Sequence, residues 1–179
     1  MSKGGDSLER LRAALSPLAH GSNGPDRPDR QDRIRTIHYG IGAIGADVVR
    51  ALLNNPDVEI VGAVDSSPSK AGRDLGEAAG VGHTIGIPVS YEADSLLKDV
   101  YADVVVHCTS SAVSEVYPQL MAIIAAEKSV VSSCEELAFP WVRYPELSRK
   151  LDRRARDTGV RILGTGVNPG FVMDLLPLT

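Results

Sequence analysis

The chain has 179 residues, a length that suits one ordinary domain and is short for two. Hydrophobic residues make up 43% of it and charged residues 23%, which excludes a wholly disordered chain, and no apolar run approaches the roughly 20 residues that span a bilayer. The 19 Lys and Arg and 23 Asp and Glu give a net charge of −4, and aromatic residues are only 4%, a balance that argues against nucleic acid as a partner.

The first 33 residues differ in composition from the rest. Residues 7–18 have the spacing of a short amphipathic helix, and the Gly-, Pro-, Asp- and Arg-rich stretch after them cannot bury enough apolar surface to fold alone. We therefore predict a flexible extension over 1–33; the alternative is a partner-binding arm. The N-terminus lacks the basic-then-apolar pattern of a secretion signal, so we expect a cytoplasmic protein without a membrane partner.

From Ile34, predicted strands and helices alternate along the chain. In order, we predict strand 34–39, helix 44–54, strand 58–64, short helix 71–79, weak strand 85–91, helical turns 94–98, strand 103–108, helix 114–127, strand 129–132, helix 145–158 and strand 160–163. Short connections between such elements imply right-handed crossovers and an α/β fold with a doubly wound parallel sheet, over residues 34–170. In the first helix, Ile44, Val48, Ala51 and Leu52 are predicted to share one apolar face.

A glycine-rich turn joins the first strand to the first helix. Gly40 permits the tight turn, Gly42 lets a pyrophosphate approach the backbone, and Gly45 lets the helix pack closely on the strand, as in a Rossmann-type fold. The N–H groups around Ala43 and Ile44, at the helix N-terminus, would face the phosphates. The alternative is a glycine-rich turn that binds nothing.

An acidic residue ends the second strand, where a dinucleotide site needs one. Asp65 lies 65 − 45 = 20 residues after Gly45, the spacing at which a carboxylate holds the adenosine ribose. A carboxylate repels a 2′-phosphate and favours NAD, although Ser66, Ser67, Lys70 and Arg73 follow closely and suit a 2′-phosphate. The prediction is NAD with NADP left open; the alternative is that Asp65 only caps the next helix.

Small polar residues follow the strand at 103–108. Thr109 and Ser110 are predicted to contact the cofactor, because ligands of open α/β sheets bind at the carboxyl ends of the strands. The alternative, which is compatible with the first, is that they cap the following helix. We expect His107 to be a buried strand histidine rather than a proton shuttle.

Two adjacent acids, Glu135 and Glu136, follow the strand at 129–132. A carboxylate there would position or deprotonate a water or an amine; the alternative is an acid pair that complements a helix dipole. No base stands beside Cys134 in sequence, which argues against a thiol nucleophile. With only two cysteines, Cys108 and Cys134, no metal site is predicted.

A polar loop rich in glycine follows the last strand, over residues 164–171. We predict that the Gly166 backbone and the Asn168 amide contact the cofactor or the substrate. The alternative is a loop that only leads out of the domain. The residues after it, 171–179, read as the start of a helix that leads into a second domain and leaves apolar side chains such as Phe171 and Leu175 poorly covered.

Four segments together resemble a known family. YGIGAIGADVVRALL, HCTSSAVSEVYPQL, SSCEELAFPW and GTGVNPGFVMDLLPL span most of residues 34–179 and are similar to the nucleotide-binding domain of dihydrodipicolinate reductase-like oxidoreductases, above all the 2,4-diaminopentanoate dehydrogenase and amine dehydrogenase branch. The resemblance implies NAD(P)-dependent oxidative deamination of a small amine, or the reverse reductive amination. It also implies that Glu135 or Glu136 lies near the reacting carbon and that Gly166 and Asn168 lie near the nicotinamide.

The resemblance also sets the alternatives. The family carries a second, substrate domain, which we expect to be missing from these 179 residues. We therefore read the chain as a truncated cofactor-binding half whose activity alone is left open, and we expect the full-length protein to be a homo-oligomer. The His-His and Lys signature of the lysine-pathway reductases is not present, which leaves reduction of dihydrodipicolinate as an alternative without direct support. A further alternative is a non-catalytic dinucleotide-binding or sensing module.

Overall fold

The computed structural model describes residues 33–166, 168–170, 172 and 176–178. Strands and helices alternate along the described chain. The strands are β1 Ile34–Tyr39, β2 Val58–Val64, β3 Val89–Ser90, β4 Val104–His107, β5 Ser129–Ser132 and β6 Ile162–Gly164. The α-helices are α1 Ala43–Leu53, α2 Leu75–Ala78, α3 Ala93–Asp99, α4 Val113–Ala125 and α5 Pro145–Thr158, with 3₁₀ turns at Glu135–Leu137 and Leu176–Leu178.

The six strands form one parallel sheet in the order β3-β2-β1-β4-β5-β6. The chain runs outward from β1 through β2 to β3, then returns to the other side of β1 and runs outward from β4 to β6. The direction therefore reverses between β1 and β4, and a crevice opens there at the carboxyl ends of the strands. This topology confirms the predicted Rossmann-type, doubly wound α/β fold.

Two buried apolar clusters cover the two faces of the sheet. Ala63 and Val64 are neighbours on β2, yet they belong to different clusters, because successive side chains of a strand point to opposite faces. Val49 of α1 and Leu75 of α2 pack in the cluster of Ala63. The cluster of Val64 is larger and contains residues of α3, α4 and α5. The clusters fix the positions of the strand ends that carry the predicted site.

The buried face of α1 differs from the predicted one. Its buried residues are Gly45 and Val49, whereas Ile44 is 59% exposed. Gly45 has no side chain, so the helix rests on the sheet along the Gly45–Val49 line and turns Ile44 outward. The prediction of one apolar face that includes Ile44 was therefore wrong, and Ile44 is instead free to line a cavity.

The weakest predicted strand is the shortest observed one. Only Val89 and Ser90 of the predicted 85–91 strand pair with β2. Pro88 has no N–H to give to a sheet and forms an isolated antiparallel bridge with Asp74 instead. Asp74 also sets the start of α2, because its side chain accepts a hydrogen bond from the N–H of Gly76, and this cap delays the predicted 71–79 helix to Leu75.

Some predictions fall on residues that the structure does not describe. These are the helix at 7–18, almost all of the 1–33 extension, and the side chains of Phe171 and Leu175. Within the part that the structure describes, none of the helices has both the length and the apolar character needed to cross a bilayer.

Candidate functional site

Two glycines allow the close approach of β1, α1 and β4. Gly40 has a φ of +96°, and a Cβ on it would lie 2.4 Å from the carbonyl oxygen of Cys108. A Cβ on Gly45 would lie 2.0 Å from the carbonyl oxygen of Gly40. Both obstacles are backbone atoms, which cannot rotate away. Glycine at these two positions is therefore required by the turn itself, whether or not a ligand binds.

Gly42 differs from both, because nothing lies within 4 Å of the Cβ that it lacks. It stands at the N-cap of α1, and no side chain caps this helix end. The first N–H groups of a helix have no carbonyl partner within it, and the helix dipole makes them favourable to an anion. A bare backbone thus faces open space at Gly42, Ala43 and Ile44, which is the geometry that a pyrophosphate needs.

The turn before Gly42 is held in place by hydrogen bonds to both backbone polar groups of Gly40, its N–H and its carbonyl oxygen. The Gly40 N–H donates to the carbonyl of Val64 at 2.8 Å. The Gly40 carbonyl oxygen lies 3.0 Å from Nε2 of His38, which is fully buried in β1. Burial lowers the pKa of His38 to about 4, so the ring is neutral near pH 7 and donates its Nε2–H to Gly40.

The next peptide is held by the residue pair Asp65 and Lys70. The Ile41 N–H donates to Asp65 Oδ2 at 2.7 Å, and Lys70 Nζ donates to the Ile41 carbonyl at 2.7 Å. Lys70 also lies 3.1 Å from Asp65 Oδ2. Gly40 and Ile41 therefore have all four backbone polar groups engaged, which fixes the turn before any ligand arrives.

Asp65 is an ionised, buried carboxylate. Burial opposes its charge, but the N–H groups of Ser67 and Ile41 and the ammonium of Lys70 outweigh burial and lower the pKa of Asp65. The N–H of Ser67 donates to Oδ1 at 2.8 Å. Asp65 thus organises the glycine turn as well as facing the crevice, a role that its position in the sequence did not reveal.

Asp65 lines a cavity of about 210 Å³ between the ends of β1, β2 and β4, which we call the β1–β4 cavity. Its lining residues are Tyr39, Gly40, Asp65, Ser66, Cys108, Thr109, Ser110, Glu115 and Gln119. The predicted residues Gly40, Asp65, Thr109 and Ser110 therefore meet in one place. Glu115 and Gln119 of α4 were not predicted, because their contribution depends on how the helix is oriented over the sheet.

A larger cavity, of about 610 Å³, opens beside it, and we call it the β4–β5 cavity. Its lining residues are Ile44, Val48, Cys108, Thr109, Ser110, Ser111, Ser133, Glu135, Gly166 and Asn168. Six predicted residues from four separate segments converge here, namely Ile44, Thr109, Ser110, Glu135, Gly166 and Asn168. One wall is apolar and the opposite segments are polar, as a site that orients a small organic molecule requires.

The structure separates the two adjacent acids. Glu135 is exposed and lines the β4–β5 cavity. Glu136 does not line that cavity: its Oε2 accepts the N–H of Val113 at 3.0 Å, and its Oε1 lies 2.5 Å from Arg143 Nη1. The bond from Val113, together with the Tyr144 hydroxyl and Arg143, lowers the pKa of Glu136. Glu136 therefore holds the first turn of α4, and Glu135 remains as the candidate catalytic acid.

Thr109 and Ser110 do not occupy the capping position of α4. That helix begins at Val113, and its N-cap residue is Ala112, whose own side chain makes no capping bond. Ser110 Oγ instead donates to Glu115 Oε2 and accepts from the Ala112 N–H at 3.3 Å. Thr109 is exposed and borders both cavities.

The two cysteines are thiols. Burial raises the pKa of Cys108 and of Cys134, and Cys134 Sγ donates to the Ser111 carbonyl at 3.1 Å. Neither is an activated nucleophile. Among the residues that the structure describes, no group of three or more His, Cys, Asp or Glu side chains is suited to a metal ion.

Comparison with known proteins places this geometry in a family. The family described as "Dihydrodipicolinate reductase, N-terminus" matches residues 34–134, which covers β1 to β5 and the start of the segment that carries Glu135. A curated 2,4-diaminopentanoate dehydrogenase of Acetoanaerobium sticklandii is 36% identical over 151 residues, which is 80% of this chain and 41% of that protein. A 4-hydroxy-tetrahydrodipicolinate reductase of Trichormus variabilis is 38% identical over only 56 residues, 31% of this chain and 20% of that protein.

A solved structure extends the similarity beyond sequence. Amine dehydrogenase from Mycobacterium smegmatis superposes with a TM-score of 0.76 and 35% identity, over 83% of this chain and 44% of that chain. The present chain therefore spans less than half the length of the dehydrogenases that it matches along most of its own length.

Proposed function

The chain belongs to the dihydrodipicolinate reductase N-terminal family, and we propose that it is the cofactor-binding part of an NAD(P)-dependent oxidoreductase that acts on a small amine or imine. The proposal rests above all on one observation. Glu135, Thr109, Gly166 and Asn168 converge on a cavity that Ile44 of the glycine-turn helix also lines. The expected reaction is oxidative deamination of an amine similar to 2,4-diaminopentanoate, or the reverse reductive amination.

The residues present fit a dinucleotide. Gly42 leaves the space of a side chain empty in front of the N-terminus of α1, where the N–H groups of Ala43, Ile44 and Gly45 would hold the pyrophosphate. Asp65 would hold the adenosine ribose in the β1–β4 cavity, and Gly166 and Asn168 would orient the nicotinamide end in the β4–β5 cavity. When bound, the dinucleotide would accept a hydride from the amine-bearing carbon, or return it to an imine.

Glu135 is the residue that we expect to act on the substrate. It is exposed at the β4–β5 cavity, whereas Glu136 is engaged with Val113 and Arg143. In the deamination direction its carboxylate would hold a water against the imine carbon and take the proton of that water as the C–O bond forms. Glu135 would then return that proton to the nitrogen, and the C–N bond breaks as the new hydroxyl loses its proton, so that ammonia leaves and a carbonyl product remains.

We propose NAD as the preferred cofactor. The ionised Asp65 would lie beside the adenosine ribose and repel a 2′-phosphate, and Lys70, 3.1 Å from Asp65 Oδ2, is already bound to Ile41 and Asp65. We expect NADPH to bind at least about tenfold more weakly than NADH. In Asp65→Asn, which keeps an acceptor for the Ile41 N–H but loses the charge, this difference should shrink. Equal affinities for the two cofactors in the wild type would contradict the preference.

Dinucleotide binding is tested by titrating the protein with NADH. Two readouts monitor the titration: the heat of binding, and energy transfer to NADH from Trp141, the single tryptophan. We expect saturable binding by the wild type and none by Gly42→Val, whose Cβ would meet no atom within 4 Å and whose side chain would fill the space for the pyrophosphate. Matched melting temperatures of the two proteins show that the fold is intact. Normal binding by Gly42→Val, or no binding by the wild type, would overturn the cofactor site.

Turnover is tested by measuring the reduction of NAD⁺ to NADH in the presence of 2,4-diaminopentanoate or a related small amine. A rate that depends on the amine and that Glu135→Gln abolishes supports the proposed reaction. Oxidation of NADH or NADPH by dihydrodipicolinate, with no reaction on amines, would favour the lysine-pathway reductase instead. Saturable binding without turnover on either substrate class is the behaviour of a cofactor-binding part alone as well as of a non-catalytic module, and would not support the proposed reaction for this chain.

A further inference from the structure

A chain of hydrogen bonds joins the ends of β4 and β5 to α4 and runs from the buried His107 to the exposed Thr109. His107 is fully buried, with Nδ1 2.9 Å from Ser132 Oγ and Nε2 2.7 Å from Gln119 Oε1. Thr109 Oγ1 lies 2.7 Å from the same Gln119 oxygen and 2.9 Å from His107 Nε2. We call these four residues the His107 network, and the reaction proposed above uses none of them but Thr109.

The partners in the network fix where its protons lie. An amide oxygen only accepts hydrogen bonds, so the His107 nitrogen that faces Gln119 Oε1 carries the ring proton. The other ring nitrogen, Nδ1, then accepts the hydroxyl proton of Ser132. Ser132 Oγ in turn accepts the N–H of Cys134 at 3.2 Å. Burial lowers the pKa of His107, in keeping with a neutral ring that holds one proton.

The same reasoning sets the direction of the Thr109 hydroxyl. A hydroxyl has one proton, and Thr109 donates it to Gln119 Oε1. One lone pair of Thr109 Oγ1 faces the protonated Nε2 of His107, 2.9 Å away, which leaves the other lone pair for a ligand. A ligand meets an acceptor there, and one that offers only an acceptor, such as a carboxylate oxygen, finds no proton to receive.

We propose that Gln119 and His107 are positioning residues that hold the Thr109 hydroxyl as a hydrogen-bond acceptor, so that the site selects a ligand with an N–H or O–H donor at this point. The inference rests on the proposed function in that the ligand is a nicotinamide dinucleotide. That ligand has two suitable donors, the N–H of the nicotinamide carboxamide and a ribose hydroxyl. Thr109 borders both cavities and is therefore within reach of either.

The test compares three ligands by calorimetry: NAD⁺, nicotinic acid adenine dinucleotide, which has a carboxylate in place of the carboxamide, and ADP-ribose, which lacks the nicotinamide. The variants are Gln119→Met, which removes the acceptor of the Thr109 proton, Gln119→Glu, which keeps a carbonyl-type acceptor at similar volume, and Thr109→Val, which removes the hydroxyl without changing the shape. Melting temperatures are measured for each variant.

We expect Gln119→Met to bind NAD⁺ about tenfold more weakly and the acid analogue as well as or better than the wild type, because the freed Thr109 proton can now be donated to a carboxylate. Gln119→Glu should resemble the wild type, and Thr109→Val should lose affinity for NAD⁺. If Gln119→Met loses affinity for NAD⁺ but not for the acid analogue, the nicotinamide carboxamide is the donor to Thr109. A different pattern identifies the ribose hydroxyl as the donor. In that case Gln119→Met and Thr109→Val each lose the same affinity for all three ligands, and Gln119→Glu loses none.

The proposal is overturned if Gln119→Met and Thr109→Val bind all three ligands as the wild type does, or if Gln119→Glu loses as much affinity as Gln119→Met. If Gln119→Met does not fold, Thr109→Val decides alone, since its side chain is exposed and isosteric. If the wild type itself binds none of the three ligands, the proposed function fails. If the wild type binds the ligands and the variants bind them with the same affinity, only the inference about Thr109 is contradicted.

Discussion

The ammonium of Lys70 lies 3.1 Å from Asp65 Oδ2 and 2.7 Å from the carbonyl oxygen of Ile41, so that one cation ties the end of β2 to the glycine turn. The same Asp65 oxygen accepts the Ile41 N–H at 2.7 Å. Asp65 and Lys70 thus close a small ring of contacts around the Ile41 peptide. Together with His38 and Val64 on the Gly40 peptide, this ring holds the turn in one conformation ahead of the ligand.

Removing this cation should weaken dinucleotide binding more than it weakens the fold. Lys70→Met keeps the aliphatic stem but loses both contacts, so the turn is less ordered when the ligand arrives. We expect the Kd for NADH, measured by calorimetry, to rise about tenfold, with a loss of stability of about 1 kcal/mol, since the side chain is a quarter exposed. Lys98→Met, an exposed lysine at the end of α3, is the matched control. Equal affinity in the two variants would show that Lys70 does not organise the turn.

The sequence predicted what depends on local pattern and missed what depends on tertiary packing. The bounds of β1, β2, β5 and α5 agree with the predicted ones, because the hydrophobic periodicity of an element and the Pro and Gly residues that end it are local signals in the sequence. The glycine spacing likewise located the turn. The contributions of Lys70 and Gln119 could not be predicted, since each reaches its partner across a distance that only the folded sheet sets.

The pair Glu135 and Glu136 shows the same limit more sharply. Two identical side chains in succession carry no signal that tells them apart. The 3₁₀ turn at Glu135–Leu137 points one toward the cavity and the other toward the first turn of α4. The turn was not predicted, so the choice between the two acids was left open in the sequence.

The two acids should therefore fail in different ways when each is changed to glutamine. Glu135→Gln should lower kcat for amine oxidation by about 100-fold or more, with little effect on the Kd for NADH or the melting temperature, because it removes only a proton acceptor. Glu136→Gln should lower the melting temperature, because it breaks the ion pair with Arg143 and weakens the cap on Val113. Steady-state kinetics and thermal unfolding on both variants decide the assignment. A loss of kcat confined to Glu136→Gln would reverse it.

Two glycines of the turn should separate folding from binding. In Gly45→Ala the new Cβ would lie 2.0 Å from the Gly40 carbonyl oxygen, a backbone atom, so α1 must shift and the fold should lose about 3 kcal/mol. In Gly42→Ala the new Cβ meets nothing within 4 Å, so the fold should be unaffected while NADH binds more weakly. Urea unfolding and calorimetry on both variants test this contrast. Equal stability of Gly45→Ala and Gly42→Ala would contradict the close packing of α1 on the turn.

The buried His38 should make the fold less stable in mild acid. Its pKa is lowered by burial to about 4 in the folded protein, whereas an unfolded chain has a histidine pKa of about 6.5, so between these values the unfolded state binds the extra proton and acid favours unfolding. We expect the free energy of unfolding to fall as the pH drops from 6.5 to 4, by up to about 3 kcal/mol from this residue.

His38→Gln keeps a donor for the Gly40 carbonyl but has no titrating ring, so its free energy of unfolding should depend less steeply on pH. Part of the remaining slope comes from His107, whose pKa is also lowered by burial. Urea unfolding at several pH values across this window measures the slopes, and His83→Gln, at an exposed position, serves as the control. If His38→Gln loses stability with acid as steeply as the wild type, the buried ring is not the source of the acid sensitivity.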